Sequence, residues 1–169
     1  EDIDQIIINL KEIDIEVWNS VKSFSLKSII ESIKADLEEF NVDFNNWFEE
    51  SSLGDLSDPL SEIGKSINKL KESEEAYEKD GAIWLNTNSS GDDKHRVLIR
   101  DDGRATYFAS DVAYHKNKVD RGFDSLINIW GADHHGYIKR IEASIEALGS
   151  SKEILTVKLV HFANLFKSG

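Results

Sequence analysis

Asp133, His134 and His135 lie within Gly131-Ala132-Asp133-His134-His135-Gly136, a stretch that joins two apolar segments of different period. Residues 125–130 before it form an apolar run suited to a buried strand. Ile138, Ile141, Ile145 and Leu148 after it recur at helical steps. Strand, glycine turn and helix follow in that order. In an open α/β sheet, the carboxyl end of a strand and the amino end of the next helix form the rim where nucleotides and small polar ligands dock. One carboxylate and two imidazoles occupy that rim, so it could accept hydroxyl hydrogen bonds, hold a cation or ligate a metal.

Three readings of this stretch stand side by side. In the plainest, Gly131 permits the turn, Asp133 caps the helix, and His134 and His135 are exposed first-turn residues. A second is a metal site, because Asp-His-His is similar to the motif of manganese phosphoesterases and its donors suit such ions. Those enzymes also need further aspartates on separate strand ends, and the one Asp-x-Asp of this chain, Asp2-Ile3-Asp4, falls in its first helical stretch. A third is a nucleotide site, with Gly131 letting the backbone approach an adenosine and Asp133 accepting from ribose hydroxyls.

Tyr107 and Asp111 make a second constellation. A tyrosine at a strand end and an aspartate one helical turn later can converge on a cation, through a charge-assisted hydrogen bond and through the phenol hydroxyl or ring face. An interior tyrosine beside a helix-capping acid is the alternative. Glu50 is one of 32 acidic residues and sits in a polar stretch. His115 and His161 have no evident partner in the sequence, and residues 71–79 read as a solvated helix face.

Composition narrows the classes. The 169 residues suit a single compact unit, and they include no cysteine, so disulfides and thiolate metal sites are excluded. The formal charge is −12, and residues 1–130 carry −13 of it, against five Lys/Arg and four Asp/Glu from residue 131 onward. Taken whole, such a chain lacks the basic footprint of a polynucleotide binder. No run approaches a membrane span. The opening at Glu1 without methionine leads us to expect a segment of a longer protein.

The elements that must position these residues follow from periodicity. Ile3, Ile6, Ile7, Leu10, Ile13, Val17, Trp18 and Val21 predict one helix; Leu26, Ile29, Ile30, Ile33, Leu37 and Phe40 predict a second behind a cap at Ser25, the two sharing a core. Residues 42–48 alternate as a short strand would. Asp58-Pro59 reads as a helix start, followed by Ile63, Ile67 and Leu70, with the helix fraying before Gly81. Extended segments are expected at 82–85, 96–100 and 105–108, within an antiparallel meander over 76–109 whose turns include 86–93 and 101–103. A helix capped near Ser110 should then carry Asp111, Tyr114 and His115. Residues 125–130 and 156–164 should be parallel neighbours, crossed over by a helix at 134–148.

Several motifs in order give the sequence a family likeness. Residues 102–115 (DGRATYFASDVAYH), then Arg121-Gly122-Phe123-Asp124, then residues 128–136 (NIWGADHHG) closely resemble the arginyl-tRNA synthetases, as does the earlier run FNNWFEESSL at 44–53. The likeness covers residues 36–166 and only part of the family's length.

What the resemblance implies is an α/β fold: a partial Rossmann-type, class I synthetase nucleotide-binding domain with N-terminal helices and a small antiparallel β insertion. Residues 1–57 and 105–169 would belong to the catalytic domain, and 58–104 to a connecting insertion. The parent would be a cytoplasmic, bacterial ligase that activates arginine with ATP, with Mg2+ accompanying the nucleotide, and transfers it to tRNA. By position, Glu50, Tyr107, Asp111 and His134 resemble arginine contacts, while Gly131, Asp133 and His135 resemble the ATP side. The His-Ile-Gly-His and Lys-Met-Ser-Lys type signatures are expected outside the 169 residues, so no catalytic residue is assigned here and the segment alone is expected to be inactive. Most tRNA contacts are likewise expected elsewhere, and no membrane contact is implied. The runner-up is a metal-dependent nucleotide-binding or phosphoesterase domain using Asp133, His134 and His135.

Overall fold

A computed structural model describes residues 3–87, 94–164, 166 and 167. The chain divides into two compact units, residues 1–47 and 48–169.

The first unit is helical: α1 (Ile3–Ile13) and α2 (Ile15–Glu39). The break falls at Asp14, not at Ser25 as the periodicity suggested. Asp14 is extended, and its Oδ1 accepts from the Glu16 and Val17 amides at 3.0 and 3.1 Å, which satisfies amides that a new helix leaves without partners. Ser25 lies inside α2, where the helical ladder continues through it. The expected shared core is also not formed among the described side chains. No described side chain of this unit is buried, and Leu26, Ile29 and Ile33 remain 55%, 58% and 41% exposed. An apolar stripe predicts burial only where something covers it. Residues 42–47 form no strand, because no second strand pairs with them; Phe44 and Trp47 instead meet edge to face at 5.5 Å, with the Lys34 ammonium 4.9 Å from the Trp47 ring centre.

The second unit holds the core. It begins with a 3-10 turn (Glu50–Leu53) and α3 (Glu62–Glu72). The antiparallel strands β1 (Ala76–Lys79), β2 (Ala82–Leu85) and β3 (Arg96–Ile99) follow. Then come α4 (Tyr107–Asp120), β4 (Leu126–Gly131), a 3-10 helix (Ala132–Tyr137), α5 (Ile138–Ala147) and β5 (Leu155–Val160). Leu53, Ile67, Leu70, Leu85, Leu98, Val112, Ile141 and Ile145 are almost wholly buried, so one core draws on α3, the sheet, α4 and α5. The fold is α/β, with a small antiparallel sheet and a parallel pair.

Several local expectations are corrected here. Asp58-Pro59 starts a turn, not a helix: Asp58 accepts from the Leu60 amide at 2.9 Å, and α3 begins three residues later behind Ser61, whose Oγ accepts from the Gly64 amide at 2.9 Å. The helix ends at Glu72, so Lys79 lies in β1 and not on a solvated helix face. The meander gains its first strand at 76–79, and 82–85 and 96–99 are extended as expected. Residues 105–108 are not a strand. A single bridge joins Ala105 to Ile99, and α4 starts at Tyr107 behind Thr106, not behind Ser110. The Thr106 hydroxyl accepts from the Ala109 amide at 3.2 Å and lies 2.9 Å from the Val97 carbonyl, tying the helix start to β3. Residues 88–93 of the turn expected at 86–93 lie outside the described residues.

β4 and β5 pair in parallel, from Leu126 with Leu155 to Gly131 with Val160, with α5 between them in sequence. β5 stops at Val160, short of the expected 164. No helix among the described residues is long and apolar enough to cross a membrane.

Gly64 lies where α3 rests on the Asp58-Pro59 turn, and a Cβ there would collide with the Asp58 carbonyl and Pro59 backbone. Backbone cannot yield as a side-chain tip can. Gly64→Ala should therefore lower unfolding stability in urea by about 1–3 kcal/mol. Gly136→Ala meets no atom within 4 Å and should shift it by less than about 0.5 kcal/mol. Equal losses at the two positions would refute the packing account.

Candidate functional site

Asp111 sits one turn into α4, half-buried, and the Tyr137 hydroxyl donates to its Oδ2 at 2.6 Å. Burial raises the Asp111 pKa above the ordinary carboxylate value. The Tyr137 hydrogen bond opposes that rise, the charge of Glu50 adds to it, and Lys118 and His134 oppose it. Burial first, and then the bond to Asp111, holds the Tyr137 phenol well above its ordinary value. Tyr137 thus stays a donor, fixing the carboxylate across 26 residues of sequence.

Asp111 and Glu50 line one cleft of about 240 Å³ with Phe48, Leu53, Ser110 and Tyr114. The Phe48 and Tyr114 rings lie 4.5 Å apart at 31°, giving it an aromatic wall. Glu50 and Ser110 also line an adjoining cleft of about 270 Å³, with Arg100, Arg104, Ala105, Thr106 and Tyr107. Tyr107 is the first residue of α4, not a strand end, and is 84% exposed. Two carboxylates, Asp111 half-buried and Glu50 exposed, beside aromatic walls suit a cation carrying several N–H donors, since the charged hydrogen bonds gain strength as water is excluded.

The glycine rim has a different character. Gly131 ends β4, and the Asp133 carboxylate folds back over it, into the space that a Cβ at 131 would occupy. Asp133 does not cap a helix as the plainest reading supposed: no side chain caps the 3-10 helix that follows Gly131. That helix intervenes before α5. His134 Nε2 stands 3.6 Å from Asp133 Oδ2, their side chains 60% and 76% exposed, and His135 is exposed as well. Asp133, His134 and His135 are not drawn with any other such residue into a cluster suited to a metal, among the described residues. Of the seven residues singled out, the structure brings Glu50 and Asp111 into one cleft and Tyr107 into the next. His134 shares the rim with Gly131, Asp133 and His135, close enough for its charge, when protonated, to lower the Asp111 pKa.

Sequence reasoning missed the groups that hold Asp111 in place. His115, four residues on, is buried; its Nδ1 lies 2.7 Å from the Asp111 carbonyl and its Nε2 2.8 Å from Asn128 Nδ2. This geometry calls for the tautomer with the proton on Nδ1, which donates to the carbonyl while Nε2 accepts from Asn128. Asn128 Oδ1 accepts in turn from Lys118 Nζ at 3.0 Å, and that ammonium lies 4.3 Å from the Tyr114 ring centre. The i, i+4 spacing of Asp111 and His115 was legible; the partner on β4 was not. Burial lowers the Lys118 pKa and the Asp111 charge raises it.

No protein-family model matches the chain. It is 48% identical over 148 residues to arginine–tRNA ligase 1 of Halalkalibacterium halodurans, covering 88% of this chain and 26% of that protein. It is 47% identical over 167 residues to the arginine–tRNA ligase of Vesicomyosocius okutanii, covering 99% and 28%. A Campylobacter jejuni crystal structure described as an arginyl-tRNA synthetase superposes with a TM-score of 0.79 at 38% identity, over 87% of this chain and 31% of that one. The chain is homologous to part of the arginine–tRNA ligases. It spans about a quarter of the length of the curated relatives it matches. The family likeness seen in the motifs thus extends over nearly the whole chain at close to half identity.

The His115 ring gives the ligase-like segment an acid-sensitive joint. Burial lowers its pKa from 6.5 to about 4. A depressed folded-state value means stability present above pH 6.5 and lost as pH falls through that value toward 4, up to about 3 kcal/mol for the full window. Urea unfolding of the chain between pH 7 and 4 should show that decline. His115→Gln should flatten it, and an unchanged slope in that variant would show that other groups carry it.

Proposed function

We propose that this chain is part of the catalytic region of an arginyl-tRNA synthetase, an enzyme that activates arginine with ATP and passes the arginyl group to tRNA. The carrying observation is the Asp111–Glu50 cleft, in which Asp111 is clasped by Tyr137. Its charge and aromatic walls suit a guanidinium or ammonium group, the chemistry that the relatives' name calls for. In this reading Glu50, Tyr107, Asp111 and His134 contact arginine. Gly131, Asp133 and His135 face ATP, with the Gly131 backbone approached by adenosine and Asp133 accepting from ribose.

Support for a Rossmann-type domain comes from the parallel β4–β5 pair and from its uncovered face: Ile127 and Ile129 are 65% and 70% exposed, whereas parallel sheets are covered on both faces. We assign residues 1–57 and 105–169 to that domain and 58–104 to its connecting insertion. Mg2+ would arrive on the nucleotide as part of the substrate, taking phosphate oxygens and water. The described residues gather no group of three or more carboxylates or imidazoles that could hold it. A cytoplasmic setting and tRNA contacts lying mostly outside this segment complete the reading.

In the intact enzyme, Asp111→Asn should raise the KM for arginine about ten- to a hundredfold, the loss expected for one charge-assisted hydrogen bond, and leave that for ATP nearly unchanged. Since the Asp111 pKa is raised, arginine affinity in the wild type should fall on acidification from a pH above the ordinary carboxylate range, as the carboxylate takes up a proton. The variant should lose that transition. Equal effects on both substrates would make Asp111 a structural residue only.

A further inference from the structure

Lys118 is half-buried on α4, an uncommon place for an ammonium, and the groups that meet it among the described residues are neutral. Its Nζ donates to Asn128 Oδ1 of β4 at 3.0 Å and lies 4.3 Å from the centre of the Tyr114 ring. Tyr114 in turn walls the cleft that Asp111 and Glu50 line. Lys118 follows Asp111 by seven residues, about two turns, which puts both on one side of α4.

The ammonium is aimed as well as buried. A primary amide can turn over and present its NH2 group where its oxygen stood, which would repel Lys118. His115 closes that alternative. With its Nδ1 proton on the Asp111 carbonyl, its Nε2 is left as an acceptor, and it takes the Asn128 amide at 2.8 Å. The contacts therefore run from the Asp111 backbone through an imidazole and an amide to a cation whose direct partners carry no charge. Through space that charge returns to the Asp111 carboxylate. Burial raises the Asp111 pKa and the Tyr137 hydrogen bond lowers it; Glu50 raises it, and Lys118 and His134 lower it. Lys118 itself is shifted down by burial, up by Asp111 and down by Arg121 at the end of α4. A proton on Asp111 and a guanidinium beside it are both positive, so a fixed cation behind the cleft opposes both.

We propose that Lys118 is a positioning residue that acts through Asp111: aimed by Asn128 and His115, its ammonium weakens the hold of Asp111 and Glu50 on any cation, proton and arginine alike. The arginine half rests on reading this cleft as the arginine site. The proton half rests on the cleft alone, and the two are measured separately.

NMR of the chain, isotope-labelled at the aspartate carboxyl carbons, follows the Asp111 titration, with the line missing from Asp111→Asn identifying it. Lys118→Met should move the Asp111 midpoint up by about 0.5–1 on the pH scale, the effect of one screened charge two helical turns away, and Lys118→Arg should restore it. In the intact enzyme, equilibrium dialysis at about pH 7.5 should show Lys118→Met binding arginine about three- to tenfold more tightly than the wild type, the same coupling read with the other cation. That gain should fade as the pH falls through the raised midpoint, because the proton gains as much as arginine does. Lys118→Gln, which can still donate to Asn128 Oδ1 without a charge, should behave as Lys118→Met does, and it keeps the test decisive if Lys118→Met fails to fold. Weaker arginine binding at every pH with the midpoint in place would mark a merely structural lysine and overturn the proposal. A raised midpoint with arginine binding unchanged at every pH would overturn it too, and the arginine reading of the cleft with it.

Discussion

A carboxylate half withdrawn from water is costly unless a donor meets it, and at Asp111 that donor is the Tyr137 hydroxyl, 2.6 Å away. The bond joins the first turns of α4 to the end of the 3-10 helix that follows β4. Around it the second unit is arranged. α4 must start at Tyr107 for Asp111 to face Glu50, and the Thr106 cap tied to β3 sets that start. The 3-10 helix must carry Tyr137 inward for the clasp to close, which places Asp133, His134 and His135 on the exposed turn beyond β4.

The same carboxylate is balanced at longer range. Lys118, one face of α4 further on, lowers the Asp111 pKa and is itself held by Asn128 of β4. His115, neutral because it is buried, closes the link from the Asp111 carbonyl to Asn128. Helix and strand are thereby fixed by polar contacts as well as by the burial of Val112 on α4 and Leu126 on β4. A site built so is preorganised: its charge is partly compensated before any ligand arrives, yet Glu50 and Asp111 keep the cleft anionic.

How much of this could be read from residue order depended on the range of the forces involved. The β4–turn–α5 unit was legible because an apolar run and a 3.6-residue period sit on either side of one glycine, and β5 followed from the crossover rule. Asp111 and Tyr107 stood out because they lie four residues apart, yet they line separate clefts. Tyr137 was not legible, since nothing local links it to Asp111 and only the fold brings it across 26 residues. The helix break at Asp14 was missed for the opposite reason. Apolar periodicity ran through it, and a local side-chain cap outweighed the pattern. In the first unit the stripe of α2 suggested a core that its own residues do not build.

Charge recognition at Asp111 and Glu50 is the central claim, and it separates from shape recognition when the ligand keeps its outline but loses its charge. Citrulline is such a ligand: it replaces the guanidinium of arginine with a neutral urea group. Equilibrium dialysis of the intact enzyme against both amino acids at neutral pH measures the difference directly. Citrulline should bind at least about tenfold more weakly than arginine, and nearer a hundredfold if both carboxylates engage the cation. Equal affinity for the two would mean that the paired carboxylates do not read the charge.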